Sequence, residues 1–114
     1  MQRAEHRRTV EKRRHERVSV DLAVELAVPG RESRLPARAR DLSVGGMQVA
    51  STSTLPVSTE VVAHVWFPDQ DHPLALPAVV RWAREGGLGL QFGLLGARET
   101  HAITELMTGA PRDE

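Results

Sequence analysis

Cysteine is absent from the 114-residue chain, which excludes disulfides and thiolate metal sites and makes the reducing cytosol the default compartment. Long apolar runs are missing too. None approaches the ~20 residues of a membrane-spanning helix, and the opening MQRAEHRRTVEKRRHER contains no apolar signal-peptide core. A soluble, cytoplasmic protein is expected. Motifs of catalysis are equally scarce: no G-x-S-x-G elbow, P-loop or paired carboxylates are present, so the chain is not read as an enzyme. The five histidines lack metal-ligand spacing, with His6 and His15 near the start and His64, His72 and His101 isolated. Neither a metal nor a cofactor is expected.

Lysine is nearly missing as well, since Lys12 stands alone among fourteen arginines. Arginine's planar fork suits bidentate recognition of phosphate or carboxylate, although a GC-rich genome produces the same bias. The formal charge is zero, but residues 1–40 hold eleven cations and six anions while residues 41–114 hold four and nine. Cations crowd into EKRRHERVSV, Glu11 to Val20, where the charge run passes directly into polar/apolar alternation.

The length allows one domain with one core. Residues 1–17 show no apolar period and read as a basic arm that stays mobile until something holds it. From Val18, VSVDLAVELAV places Val18, Val20, Leu22, Val24, Leu26 and Val28 on one face and Ser19, Asp21 and Glu25 on the other. That is the pattern of a half-buried antiparallel strand. PGRES turns the chain, PARARDLS runs towards Asp41, and MQVAS forms a short strand after VGG. VVAHVWF reads as a compact apolar strand with Trp66 in the core. LALPAVVRWARE reads as a long strand in which Pro77 marks an edge or a bulge. GG reverses the chain into LGLQFGL, where Leu88, Leu90, Phe92 and Leu94 alternate and Phe92 belongs to the core. Finally Ala102, Ile103, Leu106 and Met107 share one face at helical spacing, and Gly109 with Pro111 ends a single short helix. Five or six strands with short turns imply an all-β, closed or nearly closed antiparallel barrel that the helix covers at one end.

Three Arg-x-x-x-Arg pairs occur: Arg3/Arg7, Arg13/Arg17 and Arg34/Arg38. Only Arg13/Arg17 abuts the first strand, and only it is followed two strands later by DLSVGG, Asp41 to Gly46. This combination resembles the PilZ domain family, whose signature is R-x-x-x-R on an N-terminal arm followed by [D/N]-x-S-x-x-G. Arg13, Arg17, Asp41, Ser43 and Gly46 fill every position. The resemblance covers residues 12–108, leaving 1–11 as a flexible tail and 109–114 as a C-terminal tail.

What the resemblance implies is a six-stranded, split-barrel-like antiparallel β-barrel that binds the bacterial second messenger cyclic di-GMP without turning it over. The residue chemistry suits that ligand. Arginine forks match phosphate oxygens and the O6/N7 edge of guanine. An ionised Asp41 only accepts, which fits guanine's N–H donors, and Ser43 donates or accepts. Gly46 removes a side chain where backbone turns or a base approaches. Other readings stay open: a solvated run or nucleic-acid tail for Arg13 and Arg17, a local turn for Asp41 and Ser43, and a bulge for Gly45 and Gly46. Lys12 and Arg14 contact a second phosphate or a second, stacked ligand molecule, or are ordinary surface. Trp82 is either a half-buried barrel aromatic or a flank for a bound guanine.

The implied partners are cyclic di-GMP, as one molecule or a stacked pair, and a downstream protein that senses the reshaped surface in motility, pilus, biofilm or virulence control. The alternative is a ligand-independent adaptor of a pilus or flagellar assembly. Nucleic acid is not expected as a partner, because the rear half is acidic and the arm lacks stacked aromatics.

Overall fold

In the computed structural model, which describes residues 17–109, the alternating segments become six strands and one helix. They are β1 (Val18–Ala27), β2 (Leu35–Leu42), β3 (Gly46–Ala50), β4 (Glu60–Val65), β5 (Leu74–Arg84), β6 (Gly87–Phe92) and α1 (Ala97–Gly109). The strands pair antiparallel in the order β1-β2-β3-β6-β5-β4, and β4 returns to β1 to close a barrel. The expected six-stranded architecture is the one observed; the expected arm, through residue 16, lies outside the described residues.

Period two sends one face of each strand inward. Leu26, Ala39, Leu42, Ala63, Val65, Leu76, Val80 and Leu88 are completely buried. The helix closes one end of this core with buried Ala102 and Ile103, while Leu106 and Met107 pack partly against it. Burying Ile103 alone stabilises the fold by about 1.5–3 kcal/mol. Glu99 in the first turn complements the positive end of the helix dipole.

Three sequence expectations change. Trp66 is 37% exposed rather than core, because Val61, Ala63, Val65 and Phe67 take the inward phase and leave residue 66 facing out. Leu94 is 95% exposed, since β6 ends at Phe92 and the alternation ends with it. No bulge occurs at Pro77. Its carbonyl accepts from Gly93 N–H at 2.8 Å, just past the end of β6, so its ring nitrogen, on the same side of β5, lies beyond the paired residues of β6 and the edge alternative is the one that fits.

Bulges occur elsewhere: between Ser19 and Leu22 in β1, between Ala39 and Asp41 in β2, and between Val80 and Trp82 in β5. The β3–β6 pairing between the last two is regular. Closure is also uneven. β1 pairs with β2 from Val18 to Leu26 but with β4 only from Val24 to Ala27, and Trp66 N–H extends that ladder by one bond to Ala23 C=O at 3.1 Å. Val18–Leu22 therefore has β2 as its one strand neighbour among the described residues.

Candidate functional site

The DLSVGG segment builds the β2–β3 turn, and the polar atoms of Ser43 are engaged within it. Ser43 N–H donates to Gly46 C=O at 2.9 Å, the Ser43 hydroxyl donates to the same carbonyl at 3.3 Å, and it accepts from Gly45 N–H at 3.2 Å. Ser43 is 4% exposed, so the local-turn reading holds for Ser43 but not for Asp41, whose partners lie outside the turn. Phe92 N–H donates to Gly45 C=O at 2.9 Å and ties the turn to β6. Gly46 faces an even closer neighbour: a Cβ here would collide with the Leu90 carbonyl and lie 3.3 Å from Gln91 Cα. Close approach of two strands, rather than a bulge, requires glycine at 46. Gly45 has open space around it and no bulge either, so nothing in its packing demands glycine.

Asp41 stands beside the β2 bulge. Its Oδ1 accepts from Gln48 N–H at 3.2 Å and from Arg17 Nη1 at 2.8 Å. The side chains are 46% and 23% exposed for Arg17 and Asp41, and a pair this open is worth only about 0–1 kcal/mol. Opening it therefore costs little.

Register carries the site across the sheet. Ser19 pairs with Asp41, Asp41 with Gln48, Gln48 with Gly89, and Gly89 with Trp82. This row runs along the outer barrel face through five strands. At its far end Trp82 lies against Gly89, whose absent side chain leaves the indole room: a Cβ there would come within 2.6 Å of Trp82 Cδ1. The Arg84 guanidinium covers the ring at 4.5 Å from its centroid, a cation–π contact of about 0.5–1 kcal/mol at an exposed site.

Between the turn and the indole lies a groove of about 270 Å³, lined by Arg17, Ser43, Gly45, Gly46, Gln48, Arg81, Trp82 and Gln91 among others. Asp41 is joined to it through Arg17 and Gln48. Of the sequence-identified candidates, Arg17, Asp41, Ser43, Gly45, Gly46 and Trp82 thus converge on one place, whereas Lys12, Arg13 and Arg14 lie outside the described residues. Gln48, Arg81 and Gln91 were not singled out by sequence. The two glutamines carry no signal beyond an outward polar position; Arg81 does carry one, taken up below.

The PilZ domain family profile matches residues 11–109, and the chain belongs to that family. Its barrel is similar to the PilZ domain of CeSA from a cellulose-synthesizing bacterium, at 22% identity and a TM-score of 0.65, over 82% of this chain and 96% of that one. It also resembles the Bacillus subtilis inhibitor of motility MotI/DgrA, at 16% identity and a TM-score of 0.66, over 82% and 48%. A third similar structure is Borreliella burgdorferi PlzA in complex with c-di-GMP, at 17% identity and a TM-score of 0.64, over 91% and 44%. The chain therefore spans under half the length of the last two. Among curated proteins there is no significant sequence match.

Proposed function

We propose that this chain is a non-enzymatic receptor for cyclic di-GMP in the bacterial cytoplasm, and that binding reshapes its surface for a protein partner. The observation that carries the reading is the convergence of Arg17, Asp41, Ser43 and Gly46 on one groove of a PilZ barrel. Support also comes from a similar structure described as a complex with c-di-GMP. The groove, at about 270 Å³, falls just below the ~300–1,000 Å³ usual for small-molecule sites. The barrel's grip on a dinucleotide is partial, and Arg13 of the arm completes it.

Arg13 and Arg17 take phosphate oxygens and the O6/N7 edge of guanine, and Asp41 accepts from guanine N1–H and N2–H. Binding therefore substitutes ligand for the Arg17–Asp41 pair. Lys12 and Arg14 offset the additional phosphates of a second, stacked ligand molecule. Calorimetric titration with cyclic di-GMP tests this, with saturable binding at two ligands per chain expected and little response to GMP or GTP. No heat at moderate salt would remove the reading, and a stoichiometry of one would remove the stacked pair.

A further inference from the structure

Arg81 belongs to neither signature motif, yet it lines the groove from the wall opposite Arg17. Its position follows from a break in strand parity. Val80 faces Leu90 and Trp82 faces Gly89, so Arg81 is one residue more than β6 can match. Without it, alternation from buried Val80 would turn Arg81 out, Trp82 in, Ala83 out and Arg84 into the core. The extra residue lets Arg81 and Trp82 both face outward, returns Ala83 to the core side and brings exposed Arg84 out over the indole.

The β2 strand does the same on the other side. Arg40 is unmatched between Ala39↔Val49 and Asp41↔Gln48, so Arg40 and Asp41 lie side by side on the outer surface. Two bulges thus frame the regular β3–β6 floor, and bulges commonly re-aim side chains beside functional sites. The charges on the two walls differ. Arg17 is held by Asp41 at 2.8 Å, whereas the Arg81 guanidinium has no ion pair or hydrogen bond among the described residues. The Arg31 and Arg98 guanidiniums are likewise without a partner there, but neither lines this groove. An anion entering the groove meets a compensated cation on one wall and an uncompensated one on the other.

Resting on the reading above, we infer that Arg81 is a ligand-contacting residue whose guanidinium meets a phosphate oxygen of the cyclic dinucleotide. Phosphate is chosen over the base because it carries the ligand's full negative charge.

The test is titration of the full chain with cyclic di-GMP at two salt concentrations, comparing the native protein with Arg81→Ala, Arg81→Lys and the helix control Arg98→Ala. Arg81→Ala should weaken binding roughly ten- to hundredfold and flatten its salt dependence, with an unchanged thermal midpoint because Arg81 is exposed. Arg81→Lys should recover part of the affinity, since an ammonium still serves as a point charge for phosphate. Arg98→Ala should bind as the native chain does. Native binding with Arg81→Ala within twofold overturns this inference and leaves the receptor reading intact. Loss in Arg81→Ala with no recovery by lysine and unchanged salt dependence overturns the phosphate assignment. Absence of binding by the native chain overturns both.

Discussion

Replacing Gly89 by alanine should destabilise the barrel through a single side chain, Trp82. The new methyl would sit within 2.6 Å of Trp82 Cδ1 and closer still to the indole nitrogen. The ring must therefore lift off β6 and lose its seat between Gly89 and the Arg84 guanidinium. Overpacking of this kind costs about 1–3 kcal/mol, and displacing the stacked arginine adds about 0.5–1 kcal/mol. For a domain of this size each kcal/mol lowers the melting midpoint by roughly 4–8 °C. With Trp82→Ala already in place, the three atoms nearest the new methyl are gone. The same glycine substitution should then be neutral or stabilising by about 0.5–1 kcal/mol, because alanine costs less backbone entropy than glycine in a strand. The double-mutant cycle thus predicts a reversal of sign, read by urea unfolding followed by far-UV circular dichroism. At Gly46 the obstacle is the Leu90 carbonyl, so Gly46→Ala should stay destabilising in the Trp82→Ala background. An equal cost for Gly89→Ala in both backgrounds would refute the claim that the indole is why glycine stands there.

Arg17→Ala should weaken cyclic di-GMP binding by roughly ten- to hundredfold while moving the unfolding free energy by under about 1 kcal/mol; unfolding of the variant with affinity retained would make Arg17 structural. Ser43→Ala should cost about 1–3 kcal/mol in denaturant, because it leaves buried turn groups without the hydroxyl that now serves them; unchanged stability would contradict that role. His64 is held below its usual pKa of 6.5 mainly by burial, then by Arg34, with Glu25 opposing. A depressed folded value means the unfolded chain takes up the proton first. This contribution is therefore complete above about pH 6.5 and fades as pH falls towards the folded value, a slope that His64→Gln should remove from a stability-versus-pH series.

Residues with one dominant environment were legible before any coordinates. VSVDLAVELA alternates because β1 is half buried, and THAITELM shows helical spacing because only one stripe of α1 meets the core. Arg17, Asp41, Ser43 and Gly46 could be grouped by motif; Arg17, Ser43 and Gly46 do line one groove, and Asp41 is tied to it through Arg17. What resisted reading was phase. VVAHVWF looks uniformly apolar, so nothing in it marked Trp66 as the outward member. Pro77 drew attention to β5 for its missing N–H, yet the irregularity lies at Arg81. Arg81 and Arg84 are three apart, an odd separation that strict alternation cannot keep on one face, and that separation is the trace the bulge leaves in the sequence. The Gly89–Trp82 contact depends on register downstream of the extra residue, which no local pattern specifies.

The half-closed seam along Val18–Leu22 gives the barrel an uneven mechanical strength. Its strand is held laterally by β2 alone, and its exposed side is guarded by the bulge and by Asp21, which is bound to Arg38 at 2.9 Å. Amides there should exchange with solvent ahead of those in the doubly flanked stretch Val24–Leu26. Arg17 is the residue directly before that seam. A molecule spanning Arg17 and the β3–β6 floor would act as a cross-brace over the weakest corner. At a hundredfold excess over its dissociation constant, such a molecule adds about 2.7 kcal/mol to global stability. The gain in amide protection would be concentrated at the seam, which makes slowed exchange of Val18–Leu22 a direct reporter of groove occupancy.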